Sequence, residues 1–599
     1  MTNWDYTTDV IVVGSGGGGM TAALVAGQAG LDTLVIEKTE FYGGSTALSG
    51  GGVWIPNNFL LKQAGLDDSF EKARTYLANT VGDRVPQALR DAYLENAPKM
   101  VEYLSSNSDV QFQRSVGYAD YYPERPGGMV NGRALEPQPF DGSKLGDDLA
   151  NLRRADVEIP AGLAFTISEF NKLGMIMSTW QGKQTAVKVG LRTAYNVVAG
   201  VKYLTIGNAL IARLRFSLKE ANIPLWLNTS IKEILFEDNA VIGIVAEREG
   251  KTLRIQARKG VILAAGGFAH NQEMREKFQR GPINHEWSSA NKGNTGDAIR
   301  LGMEIGASTD LMDDAWWGPS STPPNAPVMF HVGERSYPGA IMVNAAGQRF
   351  TNEAASYVDV GHAMYEKHTD EVAHIPATFI MDHRYRNKYI FGTLFPGQPI
   401  PKSYFESGYI KQADTLEDLA QQCGIDPQGL VETVKQFNQF ARTGVDEDFG
   451  RGNSAYDRYY GDPTVKPNPC LAPIEKPPFY AVKMVPGDLG TKGGLVIDEN
   501  ARVLRDDGTP ITGLYATGNN SASVMGNTYP GPGSTIGPSM TFGYVAAKHL
   551  ANNNIRPIGT LPAAADSKQL TSGQKLAVGG ILAAAVAGVG LLLKRKPRG

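Results

Sequence analysis

The feature that most constrains the fold of this 599-residue chain is a glycine loop placed between a predicted strand and a predicted helix. Residues 9–13, Asp-Val-Ile-Val-Val, form the kind of β-branched run that makes a buried parallel strand. Residues 14–19, Gly-Ser-Gly-Gly-Gly-Gly, then satisfy a GxGxxG pattern, and the Ala-rich stretch 20–30 is compatible with a helix. A second predicted strand, 33–36, ends at Glu37. Together these features predict a Rossmann-like dinucleotide-binding unit in an α/β protein.

Each part of this unit has a physical role. Gly14 permits the tight turn, Gly16 lets the backbone approach a pyrophosphate, and Gly19 lets the helix pack on the strand. The phosphates are then expected at the helix N-terminus, and the Glu37 carboxylate is placed to accept hydrogen bonds from ribose hydroxyls. The residues predicted to bind the nucleotide in this region are Gly14, Ser15, Gly16, Gly17, Gly18, Gly19, Glu37 and Lys38.

The positions of the glycines indicate which dinucleotide is bound. The chain has 69 glycines, and twelve of them lie in the first 52 residues, where a second Gly/Ser-rich segment spans 43–52. Such a segment lets the backbone approach the rest of a long dinucleotide. Two distant predicted strands that end in small residues, 261–267 and 513–520, resemble the returning segments of two-domain flavoproteins. Because only one full fingerprint is present, a separate nicotinamide site is not expected, and the cofactor is predicted to be FAD.

The predicted flavin site resembles that of the fumarate reductase and succinate dehydrogenase flavoprotein superfamily. Glu37 is followed by five residues and then by Gly-Gly-Ser at 43–45. This loop contains no histidine that could carry a covalent flavin, so the FAD is expected to be non-covalent. The further residues predicted to bind FAD are Gly43, Gly44, Ser45, Thr46, Ser49, Gly50, Gly51, Ala265, Gly266, Asn294, Asp297, Gly518, Asn519, Ser534 and Ile536.

Three other segments narrow the resemblance. Residues 525–537, Met-Gly-Asn-Thr-Tyr-Pro-Gly-Pro-Gly-Ser-Thr-Ile-Gly, are similar to the C-terminal signature of 3-ketosteroid Δ1-dehydrogenases, and so are 489–494 and 294–298. The similarity extends from residue 4 to about residue 560. Between about 143 and 200 the chain is longer than the steroid enzymes that it otherwise resembles.

This resemblance implies a role for each residue of a ketone-desaturating site. The Tyr529 hydroxyl and the Gly533 backbone N–H would hold the C3 carbonyl oxygen, as an oxyanion hole does. Tyr357 would take the proton from C2, with Tyr121 as its hydrogen-bonded partner, while the hydride leaves C1 for flavin N5. Phe330 would line the steroid pocket. The implied reaction is 1,2-desaturation of a 3-ketosteroid in steroid degradation, and an external acceptor such as a quinone would reoxidise the cofactor.

Some of these assignments leave alternatives open. A phenol with a pKa near 10 is a poor base, so a second hydroxyl and a nearby flavin or dipole are expected to stabilise the Tyr357 phenolate. Tyr118 and Tyr122 compete with Tyr121, and Met329 competes with Phe330 because of a length difference.

Other reactions are compatible with the same residues. Desaturation at C4–C5 of a saturated 3-ketosteroid is the main enzymatic alternative. Fumarate-type reduction is less favoured, since no Arg/His clamp for a dicarboxylate accompanies the tyrosines. A non-catalytic flavin protein that relays electrons at a membrane is the alternative from another class.

Composition argues against several other classes of protein. The formal net charge is −3, which gives no general attraction to nucleic acid, and the two cysteines cannot build a disulfide framework. The eight histidines show no ligand spacing, so no metal site is expected.

The chain is expected to have several parts. A Rossmann-like FAD-binding domain is predicted to be interrupted by an α+β substrate domain and followed by a hydrophobic helix. The predicted boundaries are 1–281 and 488–560 for the FAD domain with a cap-like insertion at about 143–205, 282–487 for the substrate domain, 561–575 for a linker, and 576–599 for a membrane-anchor helix and basic tail.

Two segments point to a membrane. Residues 576–593 lack charged side chains and are followed by four basic residues, and an 18-residue helix is about 27 Å long, close to the hydrocarbon thickness. Whether it spans the membrane or lies on it stays open, but an anchor at the cytoplasmic face is predicted. Residues 160–205 combine lysines with aromatic side chains, which fits either a solvated cap or a membrane-contacting lip that serves a substrate with a long C17 side chain.

Overall fold

The structure is a computed structural model that describes residues 4–154 and 164–552. The predicted linker at 561–575 and the predicted anchor at 576–599 lie outside the described residues.

The described residues form 21 strands. In chain order they are β1 Tyr6–Val13, β2 Thr33–Ile36, β3 Val53–Trp54, β4 Phe112–Arg114, β5 Ala134–Pro137, β6 Phe140–Asp141, β7 Tyr203–Leu204, β8 Leu225–Trp226, β9 Thr229–Glu237, β10 Ala240–Arg248, β11 Lys251–Leu263, β12 Thr309–Asp310, β13 Ala315–Ser321, β14 Met329–Phe330, β15 Ala340–Val343, β16 Ala377–Met381, β17 Ile410–Ala413, β18 Phe479–Thr491, β19 Gly494–Leu495, β20 Arg502–Leu504 and β21 Pro510–Ala516.

The same residues form 17 α-helices. They are α1 Gly17–Gln28, α2 Gly44–Leu48, α3 Phe59–Gln63, α4 Phe70–Thr80, α5 Gln87–Asn107, α6 Ile167–Gly174, α7 Trp180–Ala199, α8 Ile206–Glu220, α9 Gln272–Phe278, α10 Asp297–Glu304, α11 Tyr357–Glu366, α12 His383–Lys388, α13 Lys402–Glu406, α14 Leu416–Cys423, α15 Pro427–Thr443, α16 Ala455–Tyr460 and α17 Ile536–Asn552.

An eight-stranded sheet carries the predicted nucleotide-binding unit. Its centre is parallel: β1 pairs with β2 on one side and with β11 on the other, and the end of β11 pairs with β21. The first part of β11 pairs instead with β10, in antiparallel register. The apolar side chains of β1 and β2 are buried because helices cover both faces of a parallel sheet. The predicted strand–loop–helix–strand unit is therefore present.

A second, six-stranded sheet is built from a later part of the chain. Its order is β14-β13-β18-β16-β15, with β17 also paired to β18, and its pairings are antiparallel. Its strands lie in sequence between β11 and β20, so the first sheet takes strands from both sides of this insertion. The molecule is mixed α/β, as the sequence predicts, whereas the exact domain boundaries stay a prediction.

Helices α1 and α17 pack closely on one another, although α1 follows the first strand of the chain and α17 follows the last. A Cβ added to Gly543 would lie 2.4 Å from the Gly18 carbonyl oxygen, and one added to Gly18 would lie 2.4 Å from Ser539 Oγ. The two backbones therefore approach one another directly. This close packing brings the segment before α17 next to the glycine loop.

Helices α6 and α7 form a hairpin within the predicted cap-like insertion. Thr166 and Glu169 make a capping box at the start of α6, and Arg192 of α7 donates two 2.9 Å hydrogen bonds to the Glu169 carboxylate. This partly buried ion pair connects α7 to α6. Among residues 4–154 and 164–552, no helix has both the length and the apolar character that a bilayer crossing requires.

Candidate active site

The carboxyl ends of the parallel strands meet at one edge of the first sheet. Val13 is followed by the glycine loop and Ile36 by Glu37, while Leu263 and Ala516 are followed by small residues. Ligands of open α/β sheets bind outside this edge. The structure thereby brings together four segments that are far apart in the sequence.

A cavity of about 550 Å³ opens at this edge. It is lined by most of the predicted cofactor residues, namely Gly14, Ser15, Gly16, Gly17, Gly18, Glu37, Lys38, Gly44, Ser45, Thr46, Ser49, Gly50, Gly51, Ala265, Gly266, Asn294, Asp297, Gly518, Asn519 and Ile536. The predicted substrate residues Tyr121, Phe330, Tyr357, Tyr529 and Gly533 line the same cavity. The part of the cavity lined by the glycine loops, here called the dinucleotide cradle, is therefore continuous with the part lined by Tyr121, Phe330, Tyr357, Tyr529 and Gly533, here called the aromatic chamber.

Three predicted cofactor residues lie behind the cavity wall. A Cβ on Gly19 would lie 2.2 Å from the Gly14 carbonyl oxygen, so this glycine serves the packing of helix on strand. The Gly43 N–H donates to Ser15 Oγ at 3.0 Å, and the Ser534 hydroxyl accepts from the Gly531 N–H at 3.0 Å. These three residues support the loops that form the wall.

The glycine loop fits a dinucleotide. Gly14 has a φ of +107°, and a Cβ there would lie 2.3 Å from the Ala264 carbonyl oxygen, so only glycine suits this turn. A Cβ on Gly16 would meet only Thr46 Oγ1, at 3.8 Å, which leaves this part of the backbone open toward the cavity. The loop leads into the N-terminus of α1, where backbone N–H groups favour a phosphate.

Glu37 is held firmly at the end of β2. Its carboxylate accepts hydrogen bonds from Ser15 Oγ at 2.6 Å and from Thr39 Oγ1 at 2.9 Å. The same serine hydroxyl accepts from the Gly43 N–H. The Ser15 and Thr39 backbone N–H groups donate to the same carboxylate, at 3.3 Å and 3.1 Å, so four hydrogen bonds meet its roughly four acceptor positions. Glu37 thereby ties the two glycine-rich loops together, and its contact with ribose hydroxyls stays a prediction.

Ser45 connects the second glycine loop to the segment before α10. Its hydroxyl accepts hydrogen bonds from the Asn291 N–H and from Asn294 Nδ2, each at 3.0 Å. Nearby, Lys38 Nζ lies 2.8 Å from an Asp297 carboxylate oxygen. Burial disfavours the charged carboxylate, but the hydrogen bond from Lys38 holds the pKa of Asp297 below its ordinary value. Lys38 and Asp297 thus form part of the cavity wall as an ion pair.

Three tyrosines meet in the aromatic chamber. The Tyr121 ring stacks on the Tyr529 ring with centroids 5.1 Å apart, and the Tyr357 ring lies 5.7 Å from Tyr121 and 5.2 Å from Tyr529. All three side chains are buried. Tyr357 is the first residue of α11, and Tyr529 lies in the loop before α17. One helix start and two loops therefore bring the predicted set together, because Tyr121 lies between β4 and β5.

Hydrogen bonds distinguish these tyrosines. Tyr357 is hydrogen-bonded to both Tyr121 and Tyr529, and Tyr529 also receives a 3.3 Å hydrogen bond from Thr535 Oγ1. Burial raises the pKa of Tyr357 well above 10, Tyr529 raises it further, and only the bond with Tyr121 lowers it. The hydrogen bond from Tyr121 lowers the pKa of Tyr357, as expected of a hydroxyl that stabilises the phenolate. Burial raises the same pKa by more, so the net shift is upward.

Tyr529 and Gly533 form a pair of donors. Burial raises the pKa of Tyr529, and hydrogen bonds with Thr535, Tyr357 and the Gly533 N–H oppose this rise. Gly533 has a φ of +94°, and a Cβ there would lie 2.5 Å from the Gly52 carbonyl group, so this backbone conformation and close approach require glycine. The hydroxyl and the N–H therefore converge on one part of the chamber.

The structure also bears on the open assignments. The Phe330 ring lies edge-on to Tyr357 at 5.2 Å and lines the cavity, whereas Met329 is not among the lining residues. Tyr122 donates to Asp359 at 2.7 Å and lies outside the lining, which leaves Tyr121 beside Tyr357.

Sequence reasoning named Tyr118 only as an alternative to Tyr121, and it missed Tyr460. The Tyr118 hydroxyl lies 3.3 Å from that of Tyr121 and 2.6 Å from that of Tyr460, and both Tyr118 and Tyr460 line the cavity. The signal was a tyrosine cluster at 456–460 that lies more than 300 residues from Tyr121 in the sequence. Ile167 and Phe170 of α6 line the cavity as well.

The described part of the chain shows no cluster of three or more His, Cys, Asp or Glu side chains that could hold a metal ion.

The fold and the site together define an FAD-dependent oxidoreductase, because a dinucleotide cradle continues into a buried chamber that presents hydroxyl groups and one backbone donor.

Comparisons with known proteins agree with this class. The FAD binding domain family matches residues 9–536. A 3-oxosteroid 1-dehydrogenase of Mycobacterium tuberculosis is 49% identical over 553 residues, covering 91% of this chain and 98% of that protein. The corresponding protein of Mycolicibacterium smegmatis is 49% identical over 560 residues, covering 92% of this chain and 98% of that protein.

A solved structure is similar over the same length. The 3-ketosteroid Δ1-dehydrogenase of Sterolibacterium denitrificans, in complex with 1,4-androstadiene-3,17-dione, is 45% identical with a TM-score of 0.86, covering 91% of this chain and 99% of that chain. The present chain belongs to the 3-oxosteroid 1-dehydrogenase family of FAD-binding flavoproteins.

Proposed function

We propose that this protein catalyses the 1,2-desaturation of 3-ketosteroids with FAD as the cofactor. The observation that carries the proposal is the convergence of Tyr357, Tyr529 and Gly533 in a chamber continuous with the dinucleotide cradle. Relatives that are 49% identical are 3-oxosteroid 1-dehydrogenases, which supports the same substrate class.

Different groups in the chamber have different roles in the proposed reaction. The Tyr529 hydroxyl and the Gly533 N–H donate to the C3 carbonyl oxygen, and this stabilises the enolate that forms when C2 loses a proton. One such donor is worth about 3 to 4 kcal/mol in a preorganised site. FAD, when bound, supplies the two-electron acceptor for the hydride that leaves C1.

Tyr357 takes the C2 proton in this proposal. Because its pKa lies well above 10, the phenolate is a minor species near neutral pH, and Tyr121 is the hydroxyl that stabilises it. The two hydrogen bonds to the C3 carbonyl oxygen stabilise the enolate and so lower the pKa of the C2–H bond, which makes the proton easier for Tyr357 to remove. Phe330, edge-on to Tyr357, forms the apolar wall against which the steroid rings pack.

The position of the new double bond tests this function against its main alternative. A saturated 3-ketosteroid would be offered to the protein, and the product would be examined by NMR, because 1,2- and 4,5-desaturation give products of identical mass. The proposal predicts an alkene between C1 and C2. An alkene between C4 and C5 would instead assign the chain to Δ4-(5α)-dehydrogenation.

The rival from another class is an electron-relay protein that binds flavin without acting on steroids. Such a protein would stay yellow when a steroid ketone is added without oxygen, whereas a dehydrogenase would be bleached. The electron acceptor that we propose for the second half of the cycle is a quinone or a similar external oxidant.

We also propose that the protein works at the cytoplasmic face of a membrane. The support is the uncharged run at 576–593 with its basic end, a sequence feature outside the described residues. Fractionation of cells that express the full chain tests this proposal: recovery in the soluble fraction would overturn it. A substrate with a long C17 side chain would partition into the same membrane.

A further inference from the structure

Helix α7 presents an unusual surface for a soluble protein. Six large apolar side chains on it are mostly exposed, and four of these share one side of the helix: Trp180 at 71%, Val187 at 62%, Leu191 at 69% and Val198 at 89%. Single exposed apolar side chains are common, but a continuous set marks an interaction site. We call these four residues the outer face of α7.

The spacing of the outer face places its members on one side of the helix. The four residues follow one another at intervals of seven, four and seven, which keeps them within about one ninth of a turn at 3.6 residues per turn. Gly182 and Val189 are the buried residues of α7 and lie on the opposite side, where Gly182 packs against the backbone of Lys172 and Met175. The apolar stripe therefore points away from the core along a helix of about 30 Å.

Charge indicates which partner fits this stripe. Lys183 and Lys188 are exposed and stand beside it, and α7 contains no acidic residue. Arg192 is paired with Glu169 at 2.9 Å, and Lys188 lies 3.4 Å from the same carboxylate, so one acidic residue of α6 faces two of the three basic residues of α7. Since the whole chain is slightly acidic at −3, this local excess of positive charge is a property of α7 and not of the molecule.

A lipid surface satisfies both features of α7. Tryptophan is enriched at membrane interfaces, and lysines beside an apolar stripe can extend their ammonium groups to lipid headgroups. Basic residues close to an anionic surface strengthen binding to it. A second copy of this chain fits less well, because two outer faces packed together would bring their lysines close to one another.

The same hairpin also borders the active-site cavity. Phe170 of α6 lines the cavity and is 39% exposed, so the cavity reaches the surface beside α6. Ile167 of α6 lines the cavity too, and α7 packs on α6 through the Arg192–Glu169 ion pair. A lipid surface under α7 would thus lie next to this opening.

We propose that the outer face of α7 inserts into the interfacial region of an anionic lipid monolayer, so that an apolar ligand can pass from the lipid to the cavity beside Phe170. This surface is independent of the predicted anchor at 576–599. The lipid contact does not depend on the proposed reaction, although the passage of a steroid does.

A dye that reports a local apolar environment tests this contact. In a full-length Cys423→Ser background, which leaves only the buried Cys470, one variant carries Leu191→Cys and a matched control carries Val445→Cys. Val445 is also an exposed apolar residue, at 52%, and lies outside the hairpin. Each variant is labelled with NBD and mixed with vesicles of phosphatidylcholine, with or without phosphatidylglycerol.

The expected result is a blue shift and a rise in emission at position 191 with the phosphatidylglycerol vesicles, a weaker response without phosphatidylglycerol, and none at position 445. No response at 191, or equal responses at both positions, overturns the proposal, even if the protein floats with the vesicles through another segment. A response at 191 that grows with protein concentration without vesicles would identify a second copy as the partner and would also overturn it.

A kinetic measurement links the surface to substrate access. In Val187→Asp/Leu191→Asp, the KM for a vesicle-dissolved 3-ketosteroid should rise while kcat is retained, and Val116→Asp/Val445→Asp should leave both unchanged. An unchanged KM in the first variant overturns the passage from lipid. Retained flavin bleaching by a water-soluble ketone shows separately that the proposed reaction is intact.

Discussion

The chamber shows how neighbours give identical side chains different roles. The Tyr529 hydroxyl receives hydrogen bonds from Thr535 and Tyr357, whereas Tyr357 is surrounded by other tyrosines. An oxygen that already receives hydrogen bonds directs its own proton outward, which suits a group that holds a ketone. Tyr357 receives a stabilising hydrogen bond from Tyr121 alone, so it is the stronger proton acceptor once it is ionised.

The pKa of Tyr357 predicts the pH dependence of the reaction. Because burial raises this pKa well above 10, the ionised fraction should increase about tenfold per pH unit below it. We therefore expect the logarithm of kcat/KM to rise with pH, with a slope near one, until the protein loses stability. Steady-state rates between about pH 6 and about pH 9 measure this. A flat profile would exclude ionisation of Tyr357 before proton transfer.

The hydrogen bonds of Ser45 predict that its substitution changes the affinity for FAD and not the reaction itself. Ser45→Ala would leave the Asn291 N–H and Asn294 Nδ2 without their acceptor, and an unsatisfied buried donor costs about 1 to 3 kcal/mol. We expect the Kd for FAD to rise about tenfold or more, measured by fluorescence titration of the apoprotein. Ser45→Thr, which keeps a hydroxyl, is the control. Equal Kd values for Ser45→Ala and the unmodified protein would contradict this role.

At the level of elements, α1 and α17 depend on glycine where they cross. Gly543→Ala would place a methyl group 2.4 Å from the Gly18 carbonyl oxygen, so the helices must separate. Overpacking of this kind costs about 1 to 3 kcal/mol. The expected result is a lower free energy of unfolding in urea together with weaker FAD binding.

Gly190→Ala in α7 is the matched control for this crossing, because a Cβ there meets nothing within 4 Å. A helical Gly-to-Ala change without a clash stabilises by about 1 kcal/mol. Destabilisation of the same size in both variants would mean that the crossing is not tightly packed.

The elements that the sequence predicted are those whose signals are local. β1, β2 and the glycine loop were predictable because strand, turn and helix follow one another within 30 residues. The six-stranded sheet was not, since its central strand β18 pairs with strands that precede it by up to about 170 residues. The outer face of α7 was visible only as a mixture of lysines and aromatic residues, because the sequence does not say which side of an amphipathic helix is covered.

For the molecule as a whole, buried tyrosines predict a loss of stability in alkali. Burial raises the pKa of Tyr93, Tyr118, Tyr357 and Tyr460 well above 10. Above pH 10 the unfolded chain therefore releases protons that the folded chain keeps, so the free energy of unfolding falls by about 1.4 kcal/mol per pH unit for each such group. This stabilising contribution is fully present below pH 10.

Urea unfolding at about pH 8 and about pH 11, with tyrosinate absorbance near 295 nm, measures this loss. Most tyrosinate should appear together with unfolding. Ionisation of these tyrosines well before the protein unfolds would contradict the account of a desolvated chamber.

The candidate site was predictable to the extent that its residues carry a motif. Gly533 and Tyr529 lie in one signature loop, and Glu37 lies at a fixed distance from the glycines. Tyr118 could be named as an alternative to Tyr121, but its contact with Tyr460 was not predictable, because only the fold brings their hydroxyls to 2.6 Å. The raised pKa of Tyr357 also depends on this long-range burial, which no local pattern reports.

The central claim is that Tyr357 removes the proton that allows a 3-ketosteroid to be desaturated. The most direct measurement is anaerobic stopped-flow bleaching of the FAD-loaded protein by a 3-ketosteroid, compared between the unmodified protein and Tyr357→Phe. The account predicts rapid bleaching of the former, and bleaching slowed by about 10² to 10⁴ in the variant with its FAD still bound. Bleaching of Tyr357→Phe at nearly the unmodified rate, or no bleaching of the unmodified protein by any 3-ketosteroid, would contradict it.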